Sequence, residues 1–255
     1  MDLYEEIAKI RANGERAALA TIISVHGSAP RKDFAKMLIK SDGTFIGSVG
    51  GGCVEAEVWQ EARLIIENEQ PKVLHFKLTE KDMEESGLIC GGALDIFVEP
   101  IIPDPGLFIF GAGHVAQPLA QIGTMIGFKV SIIDDREMFA NKERFPSAHE
   151  IFVGEFSDIF RNLKINKSSY IVILTRGHLY DQDVLEWACR TEAKYVGMIG
   201  SRHKIKVLYK NLEEKGVQKE ALQGVHAPIG LDIKAKTPEE IAVSIAAELI
   251  KVRYS

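Results

Sequence analysis

The sequence predicts an α/β protein in which a C-terminal Rossmann-like parallel sheet follows a smaller N-terminal α+β domain. A strand, a glycine turn and a helix follow one another from Leu107, as at the start of a dinucleotide-binding fold. Short apolar runs then alternate with segments of helical spacing, which is typical of a parallel sheet covered on both faces. The residues before Leu107 instead carry the turn signals of β-hairpins.

The glycine turn has the form G-x-G-x-x-A. Gly111 lets the chain leave the strand sharply, Gly113 lets the backbone approach a pyrophosphate, and Ala116 lets the next helix lie close to the sheet. A second strand ends at Asp134, roughly 20 residues after Gly111, where a carboxylate can accept hydrogen bonds from ribose hydroxyls. His114 lies within the same turn. We predict a dinucleotide-type site here; the alternative is a turn that only packs strand on helix.

The N-terminal region is predicted to hold two helices and an antiparallel sheet. The first helix carries Leu3, Ile7 and Ile10 on one face. The stretch from Gly47 to Cys53 opens the second helix, which ends before Pro71. Its apolar stripe consists of Val54, Val58, Ala62, Ile65 and Ile66. The strands run from Arg16 to Val25, Met37 to Ile39, Thr44 to Ile46, Val73 to Leu78 and Leu94 to Val98.

A proline-rich stretch separates this region from the glycine turn. Pro100, Pro103 and Pro105 disfavour both a helix and a β-ladder. We therefore predict an α+β domain at residues 1–102 and a Rossmann-like dinucleotide-binding domain at residues 103–255.

The second domain is predicted to end in a long buried helix. Thr237 caps this helix, Pro238 takes its first position and Glu240 completes a capping box. The helix is apolar almost all round from Ile241 to Ile250, so it is buried in the sheet or against a second subunit. The preceding strands and helices are expected at Ile151 to Val153, Tyr170 to Leu174, Asp181 to Arg190, Tyr195 to Ile199 and Lys204 to Leu212.

Loops that follow parallel strands are predicted to meet at one crevice, because ligands bind beyond the carboxyl ends of such strands. Arg136, Arg176 and Arg202 lie in these loops as candidate cofactor-binding residues, and Arg176 and Arg202 suit bidentate recognition of phosphate or carboxylate. His114 and His178 are candidate acid-base groups. Asp134 favours a nucleotide without a 2′-phosphate, whereas Arg136 opposes this preference. The alternatives are solvated arginines and a histidine that only hydrogen-bonds backbone.

Two cysteines of the first domain, Cys53 and Cys90, are each flanked by consecutive glycines. Such glycines let backbone amides approach a ligand, and Cys53 falls at a predicted helix N-terminus, where the helix dipole favours a thiolate. The alternative is a pair of buried thiols packed at glycine turns. Cys189 is assigned to the core. The flanking glycines are Gly50, Gly51, Gly52, Gly91 and Gly92.

The bulk properties exclude several classes of partner. A net charge of −5 over 255 residues disfavours nucleic acid or an anionic membrane surface. No apolar run approaches the roughly 18 residues of a membrane span, and the acidic N-terminus is not a signal peptide. The three cysteines form no C-x-x-C pair, so we expect a reducing cytoplasm.

Several short motifs occur along nearly the whole chain: Gly27-Ser28-Ala29-Pro30-Arg31, Gly50 to Glu55, Cys90-Gly91-Gly92, Gly111 to Ala116, Asp134-Asp135-Arg136, Leu174 to His178, Gly200-Ser201-Arg202 and His226 to Gly230. In this order they resemble the XdhC/CoxI family, whose members are xanthine dehydrogenase accessory factors. The chain departs from the family at Asp33-Phe34-Ala35, where a proline-glycine turn is common.

The resemblance implies a cytoplasmic maturation factor rather than a turnover enzyme. Such a factor binds molybdenum cofactor, as molybdopterin or its dinucleotide form, and protects it while the terminal sulfido ligand is installed. It then delivers the cofactor to an apo molybdenum hydroxylase of the xanthine dehydrogenase type. A cysteine desulfurase is a further candidate partner, and a homodimer is expected.

The resemblance also assigns roles to residues. Cys53 and Cys90 become the candidate catalytic and molybdenum-ligating residues, because thiolates are soft ligands. The amides of Gly50 to Gly52 and the Gly111 loop are expected to hold phosphate, and the Rossmann fold leaves NAD(P) as a further candidate cofactor. Two other interpretations stay open: an NAD-dependent oxidoreductase with a catalytic cysteine in the small domain, and a nucleotide-sensing regulatory protein.

Overall fold

The computed structural model describes residues 2–27, 34–78 and 92–254. The chain forms two compact units, Met1–Pro103 and Asp104–Ser255. Several residues singled out from the sequence lie outside the described residues: Ser28, Ala29, Pro30, Arg31, Asp33, Cys90 and Gly91.

The described part of the first unit contains an antiparallel sheet and two helices. The five strands have the order β3-β2-β1-β5-β4, so the long β1 lies at the centre. The elements are α1 Leu3–Ala12, β1 Ala17–Gly27, β2 Lys36–Lys40, β3 Phe45–Gly47, α2 Gly52–Asn68, β4 Lys72–Leu78 and β5 Gly92–Ile101.

Helix α2 covers one face of this sheet. Its buried residues are those of the predicted stripe, and they form one core with residues of β1 and β5. The helix ends when Glu69 adopts a left-handed conformation with φ of 59°. The helical period of apolar residues therefore predicted both the existence of α2 and its inward face.

The proline-rich stretch does not interrupt the sheet where the sequence suggested. Strand β5 continues through Pro100 to Ile101, and Pro100 lies opposite Ala18 of β1. The ladder between β4 and β5 ends at the Lys72–Val98 pair, so β5 has β1 alone beside it at Pro100. A proline is tolerated at such an edge, because no hydrogen bond is required on its other side.

The second unit has the strand order of a Rossmann fold. Its five described strands are all parallel and run β10-β9-β6-β7-β8 across the sheet. Counted within the unit, this is the 3-2-1-4-5 order, which places a switch point beside β6. The elements are β6 Gly106–Phe110, α3 Ala116–Met125, β7 Lys129–Asp134, β8 Glu150–Val153, α4 Phe156–Ile159, β9 Ser169–Ile173, α5 His178–Ala188, β10 Tyr195–Met198, α6 Arg202–Glu214, α7 Lys219–Gln223 and α8 Pro238–Arg253.

Different helices cover the two faces of the parallel sheet. Leu107 and Ile109 of β6 point into a core shared with α3 and α8. Phe108 and Phe110 point into a second core shared with α5 and α6. All four side chains are at most 8% exposed, as expected for a central strand covered on both sides.

The final helix begins as its sequence predicts. The Thr237 hydroxyl accepts a hydrogen bond from the Glu240 amide, and the Glu240 carboxylate accepts one from the Thr237 amide. Within the described ranges, no helix is both long and apolar enough to cross a membrane.

The connection from β7 to β8 differs from the alternation of strands and helices that the sequence suggested. Residues 135–149 form turns rather than a helix. Ala140, Phe145 and Ala148 are nevertheless buried, so the turns are anchored in the core beneath α3 and α8.

Candidate functional site

The glycine loop after β6 has one constrained and one open position. Gly111 has a φ of 102°, and a Cβ atom there would lie 2.4 Å from the carbonyl oxygen of Leu174. At Gly113, by contrast, a Cβ atom would meet no described atom within 4 Å. The first glycine thus lets β6 pass close to the end of β9, and the second leaves space beside the loop.

Asp134 ends β7 and binds the glycine loop directly. Its carboxylate accepts the Ala112 amide at 2.7 Å and three bonds from Arg136: the amide at 3.0 Å, Nε at 2.9 Å and Nη2 at 3.0 Å. Burial raises the pKa of Asp134, but the hydrogen bonds from Arg136 and Ala112 outweigh it and hold that pKa below its usual value. The side chain is 2% exposed.

A second ion pair joins the loops after β7 and β9. The Arg176 Nη2 atom donates to Asp135 Oδ2 at 2.6 Å, and the Tyr180 hydroxyl donates to the same oxygen at 3.5 Å. Since β6 lies between β7 and β9, this pair spans the switch point of the sheet. The structure therefore places the loops that contain Gly111, Asp134 and Arg176 beside one another.

The other predicted residues of this crevice are less closely connected to it. His114 is exposed in the glycine loop, and Arg202 is exposed at the start of α6. For His178, which begins α5, the backbone alone is described. The roles assigned to these residues stay predictions.

A buried carboxylate that was not singled out from the sequence connects α5 with α6. Asp181 is fully buried, accepts the Thr175 hydroxyl at 2.6 Å and forms an ion pair with Lys204. The pattern that could have found it is an acid in the first turn of α5, directly after the loop that follows β9.

The glycine turn of the first unit is held by a glutamate of its own helix. Gly50, Gly51 and Gly52 all have positive φ angles, of 134°, 83° and 60°. The Glu55 carboxylate accepts the Ser48 hydroxyl at 2.6 Å, the Gly51 amide at 2.9 Å and the Val49 amide at 3.1 Å. Burial raises the pKa of Glu55, but these hydrogen bonds outweigh it and lower that pKa. A phosphate on the Gly51 amide would have to compete with Glu55.

Cys53 follows this turn as the second residue of α2, and its side chain is exposed. A Cβ atom at Gly51 would meet no described atom within 4 Å, so the backbone beside the cysteine is accessible. Cys189 differs, because it is partly buried and burial raises the pKa of its thiol to about 11. Among the described residues, no cluster of three or more His, Cys, Asp or Glu side chains could hold a metal. The pairing of Cys53 with Cys90 stays a prediction.

A second buried carboxylate that was not singled out anchors the final helix. Glu248 Oε2 accepts the Tyr195 hydroxyl at 2.5 Å and the Gly230 amide at 2.9 Å, and Glu248 Oε1 lies 3.4 Å from His226 Nδ1. The Tyr195 and His226 rings are 4.6 Å apart. The sequence signal was a charged residue within an otherwise apolar helix face.

Comparison with known proteins assigns the fold to a family. Residues 107–249 match the XdhC Rossmann domain, and residues 10–77 match the XdhC and CoxI family. The chain belongs to the XdhC/CoxI family. A crystal structure described as a xanthine dehydrogenase from Bacillus halodurans aligns with 100% of this chain and 96% of that one, at 24% identity and a TM-score of 0.56, which shows the shared fold.

Three curated relatives of this XdhC/CoxI chain span nearly its whole length. The uncharacterized protein YqeB of Escherichia coli K12 is 32% identical over 99% of this chain, which covers 46% of YqeB and thus less than half of that relative. A protein of Bacillus subtilis 168, described as a probable xanthine dehydrogenase subunit, is 24% identical, with 94% of each chain covered. The molybdenum cofactor insertion chaperone PaoD of E. coli K12 is 24% identical, with 94% of this chain and 85% of PaoD covered.

Proposed function

We propose that this protein binds molybdenum cofactor and assists its sulfuration and its insertion into a molybdenum hydroxylase of the xanthine dehydrogenase type. The observation that carries the proposal is the exposed Cys53 thiol at a turn of three glycines, in a chain of the XdhC/CoxI family. The names of two relatives support it, since one is a molybdenum cofactor insertion chaperone and the other is described as part of a probable xanthine dehydrogenase.

The chemistry of the turn fits this cofactor. Molybdenum held by a dithiolene is thiophilic, and an exposed thiolate is a soft ligand for it. Glu55 fixes the backbone of the turn, so Cys53 starts α2 from a defined position. Cys53 would contact the metal or its sulfur, and the proposal gives the same role to Cys90, which lies outside the described residues.

The proposal also covers the chemical form of the bound cofactor, the partners of the protein and its location in the cell. The bound form is molybdopterin or its dinucleotide, the recipient is an apo-hydroxylase, and a cysteine desulfurase supplies the sulfur. A homodimer through the apolar α8 and a cytoplasmic location, where thiols stay reduced, complete it.

The first test is the molybdenum and pterin content of protein purified without oxygen from a molybdenum-replete host. We expect near-stoichiometric cofactor in the wild type, and a drop of about tenfold in Cys53→Ala and in Cys90→Ala. Cys189→Ala is the matched control, because that thiol is partly buried in the other unit and stays protonated near neutral pH. The proposal fails if the wild type carries no molybdenum or pterin, or if both cysteine variants retain full occupancy.

A further inference from the structure

The acidic residue expected to bind a nucleotide ribose has its acceptor positions already filled. A carboxylate offers about four acceptor positions. Asp134 uses four, one for the Ala112 amide and three for Arg136, at distances between 2.7 and 3.0 Å. A ribose hydroxyl could bind Asp134 only by displacing one of these donors. The role of Asp134 is instead to tie the end of β7 to the glycine loop.

Two arginines lie beside the same loop. The Cζ atoms of Arg136 and Arg144 are 3.9 and 5.1 Å from the centre of the Phe139 ring. Arg144 Nη2 donates to the Ala112 carbonyl oxygen at 3.3 Å. Ala112 of the glycine loop is thus held at two points: its amide donates to Asp134, and its carbonyl accepts from Arg144.

Arg144 differs from Arg136 because its charge is not compensated. In the described ranges Arg144 forms no ion pair, and its buried Nε atom has no hydrogen-bond partner. A guanidinium group with an unused, desolvated donor is costly unless an anion binds there.

The position of Arg144 is built into the fold rather than left to a flexible side chain. Its amide donates to Asn141 Oδ1 at 3.0 Å, and its carbonyl accepts Gln117 Nε2 of α3 at 3.4 Å. The next residue, Phe145, is 2% exposed in the core. The turns between β7 and β8 therefore hold Arg144 next to the glycine loop.

The charges around this crevice favour an anionic ligand. Arg136 pairs with Asp134 and Arg176 pairs with Asp135, whereas no ion pair between described residues involves Arg144. In Rossmann folds the ribose lies beyond the end of the second strand, which is β7 here. There a free acid selects the 2′-hydroxyl, whereas an arginine accommodates a 2′-phosphate.

We propose that the crevice beside Gly113 binds a nucleotide that carries a 2′-phosphate, of the NADP class, and that Arg144 contacts this phosphate with Arg136 beside it. This site lies in the second unit and is independent of the molybdenum site proposed around Cys53. The expectation that Asp134 favours an unphosphorylated ribose is replaced by a preference for the phosphorylated one.

Isothermal titration calorimetry of the full chain tests the proposal, with NADP⁺, NAD⁺, 2′,5′-ADP and 5′-AMP as ligands. We expect NADP⁺ to bind about tenfold or more tightly than NAD⁺, and 2′,5′-ADP to exceed 5′-AMP by a similar factor. Arg144→Gln should remove most of this preference, because the guanidinium that contacts the 2′-phosphate is lost. The matched control is Arg190→Gln, an exposed arginine paired with Glu186 in α5.

The wild-type preference is measured without any variant, so misfolding of Arg144→Gln cannot hide the result. Equal or tighter binding of NAD⁺ by the wild type would overturn the proposal, and so would the absence of binding by all four ligands. A preference for NADP⁺ that survives in a folded Arg144→Gln would overturn the assignment to Arg144. Molybdenum content is a separate measurement, so failure here leaves the proposal for Cys53 standing.

Discussion

The two glycines of the loop after β6 have different physical roles, and matched substitutions separate them. Gly111→Ala places a methyl group 2.4 Å from a carbonyl oxygen at a φ of 102°, so we expect a loss of about 2–3 kcal/mol in unfolding free energy. Gly113→Ala meets no described atom and should change stability by under about 1 kcal/mol, while weakening nucleotide binding. Urea denaturation measures the two changes in stability, and ligand titration measures the change in nucleotide binding. Equal stability losses in the two variants would contradict the different roles assigned to Gly111 and Gly113.

Asp134 should make the stability of the second unit depend on pH. Its pKa is lowered in the folded protein by Arg136 and the Ala112 amide, against the effect of burial. A carboxyl group whose pKa is lower in the folded state stabilises the fold at pH values above its unfolded pKa of roughly 3.9. This stabilisation is lost as the pH falls through the folded pKa. Asp134→Asn should cost about 2–3 kcal/mol at pH 7 and flatten the stability curve below about pH 4.

Denaturation with urea across this pH range checks the prediction for Asp134. The exposed Asp183 provides the control, since Asp183→Asn should leave both the stability and its pH dependence unchanged. An Asp134→Asn curve parallel to that of the wild type would show that the ion pair with Arg136 does not stabilise the fold.

At the scale of elements, α8 is held to β10 through a buried carboxylate. Glu248 accepts the Tyr195 hydroxyl, and burial together with this hydrogen bond raises the pKa of Tyr195 far above its usual value. Tyr195 therefore stays protonated as the donor. Tyr195→Phe should cost about 1.5–3 kcal/mol, and a double-mutant cycle with Glu248→Gln should give a coupling above about 0.5 kcal/mol.

The start of the same helix supplies an internal comparison. Thr237→Ala removes the cap on the Glu240 amide and should cost about 1 kcal/mol. Thr237 lies about three turns from Glu248, so its effect should add to that of Tyr195→Phe without coupling. Strong coupling between Thr237 and Tyr195 would mean that α8 responds as one rigid unit.

Elements with a strong local pattern could be predicted from the sequence, and tertiary partners could not. The apolar stripe of α2 and the capping box of α8 are local, so their residues alone define them. Pro100 was misread because its tolerance depends on where β4 ends. The turns that hold Arg144 have no periodic pattern that marks them in the sequence.

The same distinction between local patterns and tertiary contacts applies to the candidate functional site. Spacing was sufficient to place Asp134 at the glycine loop, because strand lengths fix the distance between β6 and the end of β7. It did not reveal that Arg136 folds back onto Asp134, since that depends on one side-chain rotamer. Likewise, the sequence did not reveal that Glu55 accepts hydrogen bonds from Ser48 and the glycine turn, because these contacts depend on how the turn folds.

At the scale of the whole molecule, each unit has hydrophobic clusters of its own among the described residues. Each of the four hydrophobic clusters of buried residues lies entirely within Met1–Pro103 or entirely within Asp104–Ser255. Both units are long enough to bury a core of their own. We therefore expect each unit to unfold cooperatively on its own, so that the chain shows two unfolding transitions rather than one.

The two tryptophans report on the two units separately, because Trp59 lies in α2 and Trp187 lies in α5. Trp59 donates to the Gly43 carbonyl at 2.9 Å, and Trp187 stacks on Phe160 at 4.4 Å, so both should change fluorescence on unfolding. In the full chain, Trp187→Phe retains Trp59 and should report the unfolding of the first unit, whereas Trp59→Phe retains Trp187 and should report that of the second. We expect the two urea transitions to be distinct. The fragment of residues 104–255 alone should reproduce the transition seen through Trp187. A single coincident transition, with no folding of the fragment, would show that the units depend on each other for stability.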